Sequence, residues 1–267
     1  KNLIKFGLFL FILEKKKNEN RYKDMVLISA GEFTMGSDTA EAKYISSRHP
    51  TLCSEHWFED EQPIHKVWID AFYIDKHEVT YRQFTKFIEA TSYKSEGQWE
   101  DYFNKLKEKN INNLPIVGVS WNDANSYAKW KGKRLPTEAE WEKAMRGGRE
   151  GLIYPWGNKI DTSKAIFQNP DGPLPVGSYP PNGYGLYDMA GNAVEWCSDY
   201  YSRDYYKISP YKNPRGPIQG EAHVVRGGGW KFNYAFFARC AWRSGNDDND
   251  TTNEANFVGF RCAYSPK

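Results

Sequence analysis

The stretch that most constrains this chain runs from Pro180 to Asp199 and reads PPNGYGLYDMAGNAVEWCSD. Asn182-Gly183 is a strong turn signal, because both residues tolerate positive φ. Gly185 and Gly191 leave the backbone free to bend tightly and to expose its carbonyls. Asp188 and Glu195 place hard oxygen at either end of that bend. Carbonyls and carboxylates gathered in a sharp glycine turn are what a calcium ion selects. The same residues also fit a glycine-rich turn carrying two solvated acids, since no formula such as the EF-hand loop is present. Spacing leaves both readings open.

The rest of the composition agrees with a chain built from braced loops. Among 267 residues there are 10 Trp, 18 Tyr and 15 Phe, with 22 Gly and 14 Pro. A helical bundle would not need that mixture. The length suffices for one sizeable core. A formal net charge of +2 gives no reason to expect a nucleic-acid or membrane-surface partner. Cys53, Cys197, Cys240 and Cys262 show no CxxC pair and no zinc spacing. An even count permits two disulfides without arguing for them.

Residues 3–13, LIKFGLFLFIL, form an apolar run flanked by lysines. The run is shorter than the roughly 20 residues a membrane helix needs, so no integral span is expected. It matches the early part of a secretory signal, which favours an exported or cell-surface protein over a cytoplasmic one. We therefore divide the chain into an N-terminal apolar segment, 1–23, and a single domain, 24–267.

Along that domain, Met25–Ile28 and Gly31–Gly36 read as strand, turn and strand, and His65–Ile74 as a further strand. Residues 37–62 and 91–113 are polar and read as loops. Helix starts are legible in three places. Thr80 with Gln83 and Thr137 with Glu140 form capping boxes, and Ser120 precedes an apolar stripe that Gly132 closes. The second box opens a helix that stops at Gly147-Gly148. His77-Glu78 lies at a helix start, where capping or packing accounts for it. Beyond Tyr154 periodicity fades.

Several phrases together carry a resemblance: Gly31-Glu32-Phe33-Thr34-Met35-Gly36, KRLPTEAEWEKAMRGG over 133–148, Tyr154-Pro155-Trp156-Gly157-Asn158, and the 180–199 stretch itself. In this order they resemble the formylglycine-generating enzyme family, the sulfatase-modifying-factor domain, over nearly the whole chain. The resemblance implies an α+β fold of irregular type, related to C-type lectins and low in regular secondary structure. It also implies a structural calcium, held by the Asp188 and Glu195 side chains and the carbonyls of Gly191 and Ala193. A second calcium loop of the family would use Asp171 and the Ile166 carbonyl, but its usual Asn is Ala165 here. Val194 stands where the family usually has Trp near its active site.

Enzymes of this family oxidise a client cysteine to formylglycine with copper held by a cysteine pair after an RGGS turn. Cu(I) needs thiolates. Here Arg226-Gly227-Gly228-Gly229 is followed by Trp230 to Ala238 without a cysteine, and Cys240 and Cys262 match structural positions. No copper is expected and no catalytic residue is assigned. In place of the thiols stand Trp230, Phe232, Asn233, Tyr234, Phe236 and Trp242, then Asn246, Asp247 and Asp248. Aromatics mixed with small polar groups describe a ligand-binding surface, although half of the rings could equally be core. Some members of this fold are variable receptors diversified by retroelements, whose fixed framework resembles Arg226, Trp230, Arg239, Arg243 and Gly259-Phe260-Arg261. The reading is therefore a non-catalytic, calcium-stabilised binding protein for a protein or surface ligand. Its alternatives are a metal-dependent oxidoreductase or peptide-modifying enzyme, and a structural or secretion-accessory subunit.

Overall fold

A computed structural model describes residues 22–106, 110–247 and 257–266; the apolar run at 3–13 and Asp248 lie outside the described residues. The first strands are β1 (Met25–Ile28), β2 (Gly31–Met35), β3 (His65–Ile69) and β4 (Phe72–Asp75). The single strand expected over 65–74 is thus two, because Asp70-Ala71 turns the chain. β3 pairs with β2, whereas β4 crosses to β1. β4 also pairs with β9 (Ala263–Tyr264), giving the order β1-β4-β9 and joining the two ends of the domain. The larger sheet holds β5 (Val194–Tyr200), β6 (Ala222–Arg226), β7 (Arg243–Asp247) and β8 (Val258–Gly259) in the order β7-β6-β5-β8.

Residues 37–62 are not a loop. They form α1 (Thr39–Arg48), capped by the Asp38 carboxylate on Glu41 N, and a 3-10 segment over Glu55–Glu61. Residues 91–113 likewise contain α3 (Trp99–Asn104), which follows α2 (Tyr81–Thr91). Trp99 and Phe103 of α3 pack on Tyr81 and Phe84 of α2. Both segments escaped notice because they bury only two residues per helix, Ala42 and Ile45 in α1 and Trp99 and Phe103 in α3. The three expected starts are present. Thr80 and Gln83, Ser120 and Asp123, and Thr137 and Glu140 each bond reciprocally at the heads of α2, α4 (Trp121–Trp130) and α5 (Glu138–Arg146). Each box satisfies N–H groups that a first turn otherwise leaves unpaired.

α5 is the pillar of the molecule. All nine of its residues are buried, and it packs against β2, β3, β5 and β6. Its charged residues are therefore paired inside the protein. Lys143 donates to the carbonyls of Ser29 and Gly31, and Glu140 takes Arg134 in a fork of two 2.6 Å bonds. At its end Gly147 adopts φ +60. The Asn182 amide then donates to the carbonyls of Ala144 and Met145 at 2.8 and 3.1 Å. The Asn182-Gly183 turn thus caps α5 from outside and leads the 180–199 stretch into the core.

Candidate functional site: an aromatic groove beside the C-terminal hairpin

Three arginines fix the C-terminal region, and each is at most 3% exposed. Arg226 reaches Glu138 at 2.9 Å and Glu142 at 2.6 Å, and also donates to the Cys240 carbonyl. Arg243 grips both oxygens of Glu138 at 2.7 and 2.9 Å and donates to the carbonyls of Asp60 and Ser202. Arg239 bridges Glu41 and Glu61. These bonds tie the chain on either side of residues 227–238 to α5 and to the 37–62 segment. Buried pairs of this kind give little net stability, but their loss leaves an uncompensated charge. They therefore specify register.

Between these anchors lies a groove in two connected parts. A cleft of about 710 Å³ is lined by Val194, Val225, Phe232, Phe237, Trp242 and Asn246, together with Trp57, Asp60, Tyr201 and Arg203. A recess of about 380 Å³ adjoins it, and the two share Trp57, Phe232, Phe237 and Phe257. Phe232 stacks on Phe237 at 4.5 Å and meets Trp242 and Phe257 edge-on. Val194, at the position where the family usually has Trp, lines this cleft.

The structure divides the expected ligand-binding residues. Phe232, Trp242 and Asn246 line the cleft, and Asn233 and Tyr234 line the recess. Phe236 touches the recess but is 2% exposed, held among His49, Phe58, Tyr234 and Phe237. It is a core residue. Trp230 lies away from the groove, near Tyr102 at 6.2 Å. Asp247 ends β7, exposed. Sequence reasoning missed the rest of the lining, Leu52 to Asp60 with Tyr201 and Arg203. The available signal was Trp57, a tryptophan within the polar run EHWFEDE, which proves 56% exposed.

The acid–base groups of the groove are committed to one another. Tyr201 donates to Asp60 at 2.8 Å, and burial raises the Asp60 carboxyl against the pull of Arg243. Glu59 accepts from Arg203 and raises the His56 imidazole by hydrogen bonding to it. No cysteine lines either part. All four thiols are free and buried. Burial pushes Cys240 up to about 12 and Cys197 and Cys262 well above the ordinary thiol range. Such thiols stay protonated at neutral pH in the protein as it stands.

The expected calcium loop adjoins α5 through Asn182 and Glu195. Asp188 accepts Gly177 N at 2.6 Å, and a Cβ on Gly191 would stand 2.4 Å from the Ile166 carbonyl. The 180–199 turn therefore docks directly on the loop that carries Asp171. Glu78, which the sequence gave no reason to include, accepts Ala193 N and the Asn192 amide. Burial, then Asp188 and Glu195, push its carboxyl well up. Arg261 hydrogen-bonds Glu195, and its charge also reaches Glu78 and Asp188. Both oxygens of Glu195 are filled, by Arg261 at 2.6 and 2.7 Å and by Trp141 Nε1 at 2.8 Å. Among the described residues no three His, Cys, Asp or Glu side chains converge as a metal site. Glu195, with both oxygens taken, does not fit the calcium role the resemblance gave it.

Residues 11–266 match the family described as Sulfatase-modifying factor enzyme 1-like domain. The chain belongs to that family. It is 33% identical to the formylglycine-generating enzyme of Bos taurus, over 90% of this chain and 74% of that protein. It is 39% identical to serine/threonine-protein kinase pkn1 of Chlamydia caviae, over 95% of this chain. The chain spans 40% of the length of that relative. Treponema denticola variable protein 1 superposes with a TM-score of 0.69 at 21% identity, over 91% of this chain and 95% of that one. The fold is accordingly α+β, of the formylglycine-generating-enzyme kind, as the motifs implied. Among the described residues no helix is long and apolar enough to cross a membrane.

Proposed function

We propose that this member of the family is a non-catalytic binding protein whose ligand occupies the groove between Trp57 and Trp242. One observation carries the reading. Where the resemblance leads one to expect two thiolates, this chain builds a recess walled by Trp57, Phe232, Phe237 and Phe257. Apolar walls with a few polar groups at one end are what ligand pockets use for affinity and orientation. The test is a screen of peptide and glycan arrays with the wild-type chain, Phe232→Ala and Trp57→Ala. We expect binding that both substitutions abolish while the urea midpoint holds. Aldehyde formed from a cysteine peptide in the presence of copper and oxygen would refute the reading and restore the oxidoreductase alternative.

The finer reading, a surface receptor diversified by a retroelement, is favoured by the partition of residues. The framework arginines are sealed in ion pairs, whereas Phe232, Asn233, Tyr234 and Asn246 between them face the groove. A genomic template repeat differing only at Asn codons would support it, and an invariant sequence across strains would sink it. An exported or cell-surface location belongs to the same proposal.

Calcium is proposed as a structural ion, on Asp188 with the carbonyls of Gly191 and Ala193. A cation at 100-fold over its Kd adds about 2.7 kcal/mol to stability. Chelation should therefore lower the melting temperature of the wild type and leave that of Asp188→Ala unchanged. Equal melting with and without chelator removes the ion from the account.

A further inference from the structure

β7 closes one end of the order β7-β6-β5-β8, so among the described residues one side of it has no neighbouring strand. Which residues turn toward that side follows from the ladder. In an antiparallel strand the N–H and C=O of one residue leave on the same side, and successive residues alternate. Tyr201 N donates to the Ala222 carbonyl at 2.8 Å, turning Ala222 toward the β5 side. His223 and Val225 therefore turn toward β7, where they lie opposite Asn246 and Ser244. The intervening Gly245 directs its N–H and C=O outward, as does Arg243.

The 710 Å³ cleft runs along this edge. Arg243 and Gly245 project from one face of β7, Ser244 and Asn246 from the other, and all four line the same cleft. Only the space beside a strand touches both of its faces. A Cβ on Gly245 would stand 2.7 Å from the Tyr201 ring, so glycine lets that wall close in on β7, where the Ser244 hydroxyl also donates to the Gly245 carbonyl at 3.4 Å. Asn246 Nδ2 is buried there with no partner. The edge then opens into the aromatic recess through the shared Trp57, Phe232, Phe237 and Phe257.

An occupant must therefore offer main-chain donors and acceptors at strand spacing at one end and a large apolar group at the other. An extended peptide does both, with side chains alternating at a period of two residues. A glycan lacks the regular row of alternating amide groups, and a lipid chain would leave the polar end unpaired. We propose that the groove takes an extended segment of a partner protein, added as a fifth strand along β7, with an aromatic or large aliphatic side chain seated among Trp57, Phe232 and Phe237. This rests on the reading of the groove as a binding site and names what fills it.

The test uses linear peptides displayed on phage, selected on the full wild-type chain and counter-selected on Phe232→Ala. A retained peptide is then synthesised with an N-methyl group at one position at a time. Methylation at alternate positions should weaken binding about tenfold, with the intervening positions nearly silent. The Gly245 amide should exchange quickly in the free protein and slowly with peptide bound. A Gly245 amide already protected in the free protein, or methylation effects without alternation, overturns the strand. So does glycan or lipid binding that needs Phe232 while no peptide is retained, and in that case the binding function stands. If nothing the chain binds responds to Phe232→Ala or Trp57→Ala, the binding function itself falls, and the strand with it.

Discussion

Phe236→Ala and Trp57→Ala separate the groove from the core that carries it. Phe236 is 2% exposed and has four aromatic neighbours, with ring centroids between 4.4 and 6.4 Å. Truncating such a ring removes its transfer free energy and leaves a cavity, together about 3–5 kcal/mol. Because Phe236 borders the recess, water can enter part of that cavity, which puts the expected loss near 3 kcal/mol. For a chain of this size each kcal/mol shifts the melting temperature by about 2–4 °C, so a fall of roughly 6–12 °C follows. Trp57, at 56% exposure, should cost about 1 kcal/mol or less. Urea denaturation followed by tryptophan fluorescence and far-UV circular dichroism measures both, with the far-UV signal as the common probe, since one variant loses a fluorophore. If Phe236→Ala loses under about 1 kcal/mol, Phe236 is not a core residue and the partition of the hairpin fails.

Glu138→Gln leaves Arg243 and one arm of Arg226 buried without their carboxylate, at a cost of about 3–5 kcal/mol by chemical denaturation; a loss below 1 kcal/mol refutes the pairing. Burial raises the Glu138 carboxyl, but Arg243 and Arg226 outweigh it and hold it below the ordinary range. Its contribution is thus complete above the unfolded value and is lost as pH falls through the folded one. Asp199 behaves oppositely, since burial and then Glu138 raise it to about 8. Its contribution is complete near pH 4 and is lost as pH rises to about 8, with a slope of at most about 1.4 kcal/mol per pH unit. Asp199→Asn should flatten that slope, and parallel stability curves for the two proteins would refute the assignment. Gly191→Ala combines φ +81 with a Cβ 2.4 Å from the Ile166 carbonyl. It should cost about 2 kcal/mol or more, and a neutral result would mean the two loops do not touch.

Features set by neighbouring residues were legible in the sequence. The starts of α2, α4 and α5 are written in capping boxes whose partners lie three residues apart, and each appears as expected. The burial of α5 was not legible. Glu138, Glu142, Lys143 and Arg146 look like a solvated face, yet Glu138 and Glu142 meet Arg226 and Arg243, 84 to 105 residues further along, and Lys143 meets the carbonyls of Ser29 and Gly31. The wall carrying Trp57 stayed hidden for the same reason, since α1 docks through Glu41 on Arg239 across 198 residues. Nor can the sequence tell Phe236 from Phe237. They are adjacent in one 3-10 turn, and only the packed structure points one ring into the core and the other at the groove.

That division is what the proposed variable receptor would need, a scaffold that keeps its shape when residues of the groove are replaced. Fixity comes from guanidinium groups, which α5 and the 37–62 segment hold by their carboxylates. Arg226 and Arg239 bound the segment that carries Phe232, Asn233 and Tyr234, and Arg243 bounds the strand that carries Asn246. None of these groove residues makes an ion pair with the framework, so replacing one changes the lining without freeing a buried charge. Phe236 is the exception, because its ring supports the groove from beneath. A lining free to vary between fixed anchors suits recognition better than chemistry, since a catalytic constellation fails with misplacements on the order of 1 Å, whereas a binding groove can exchange one ring or amide for another and acquire a different ligand.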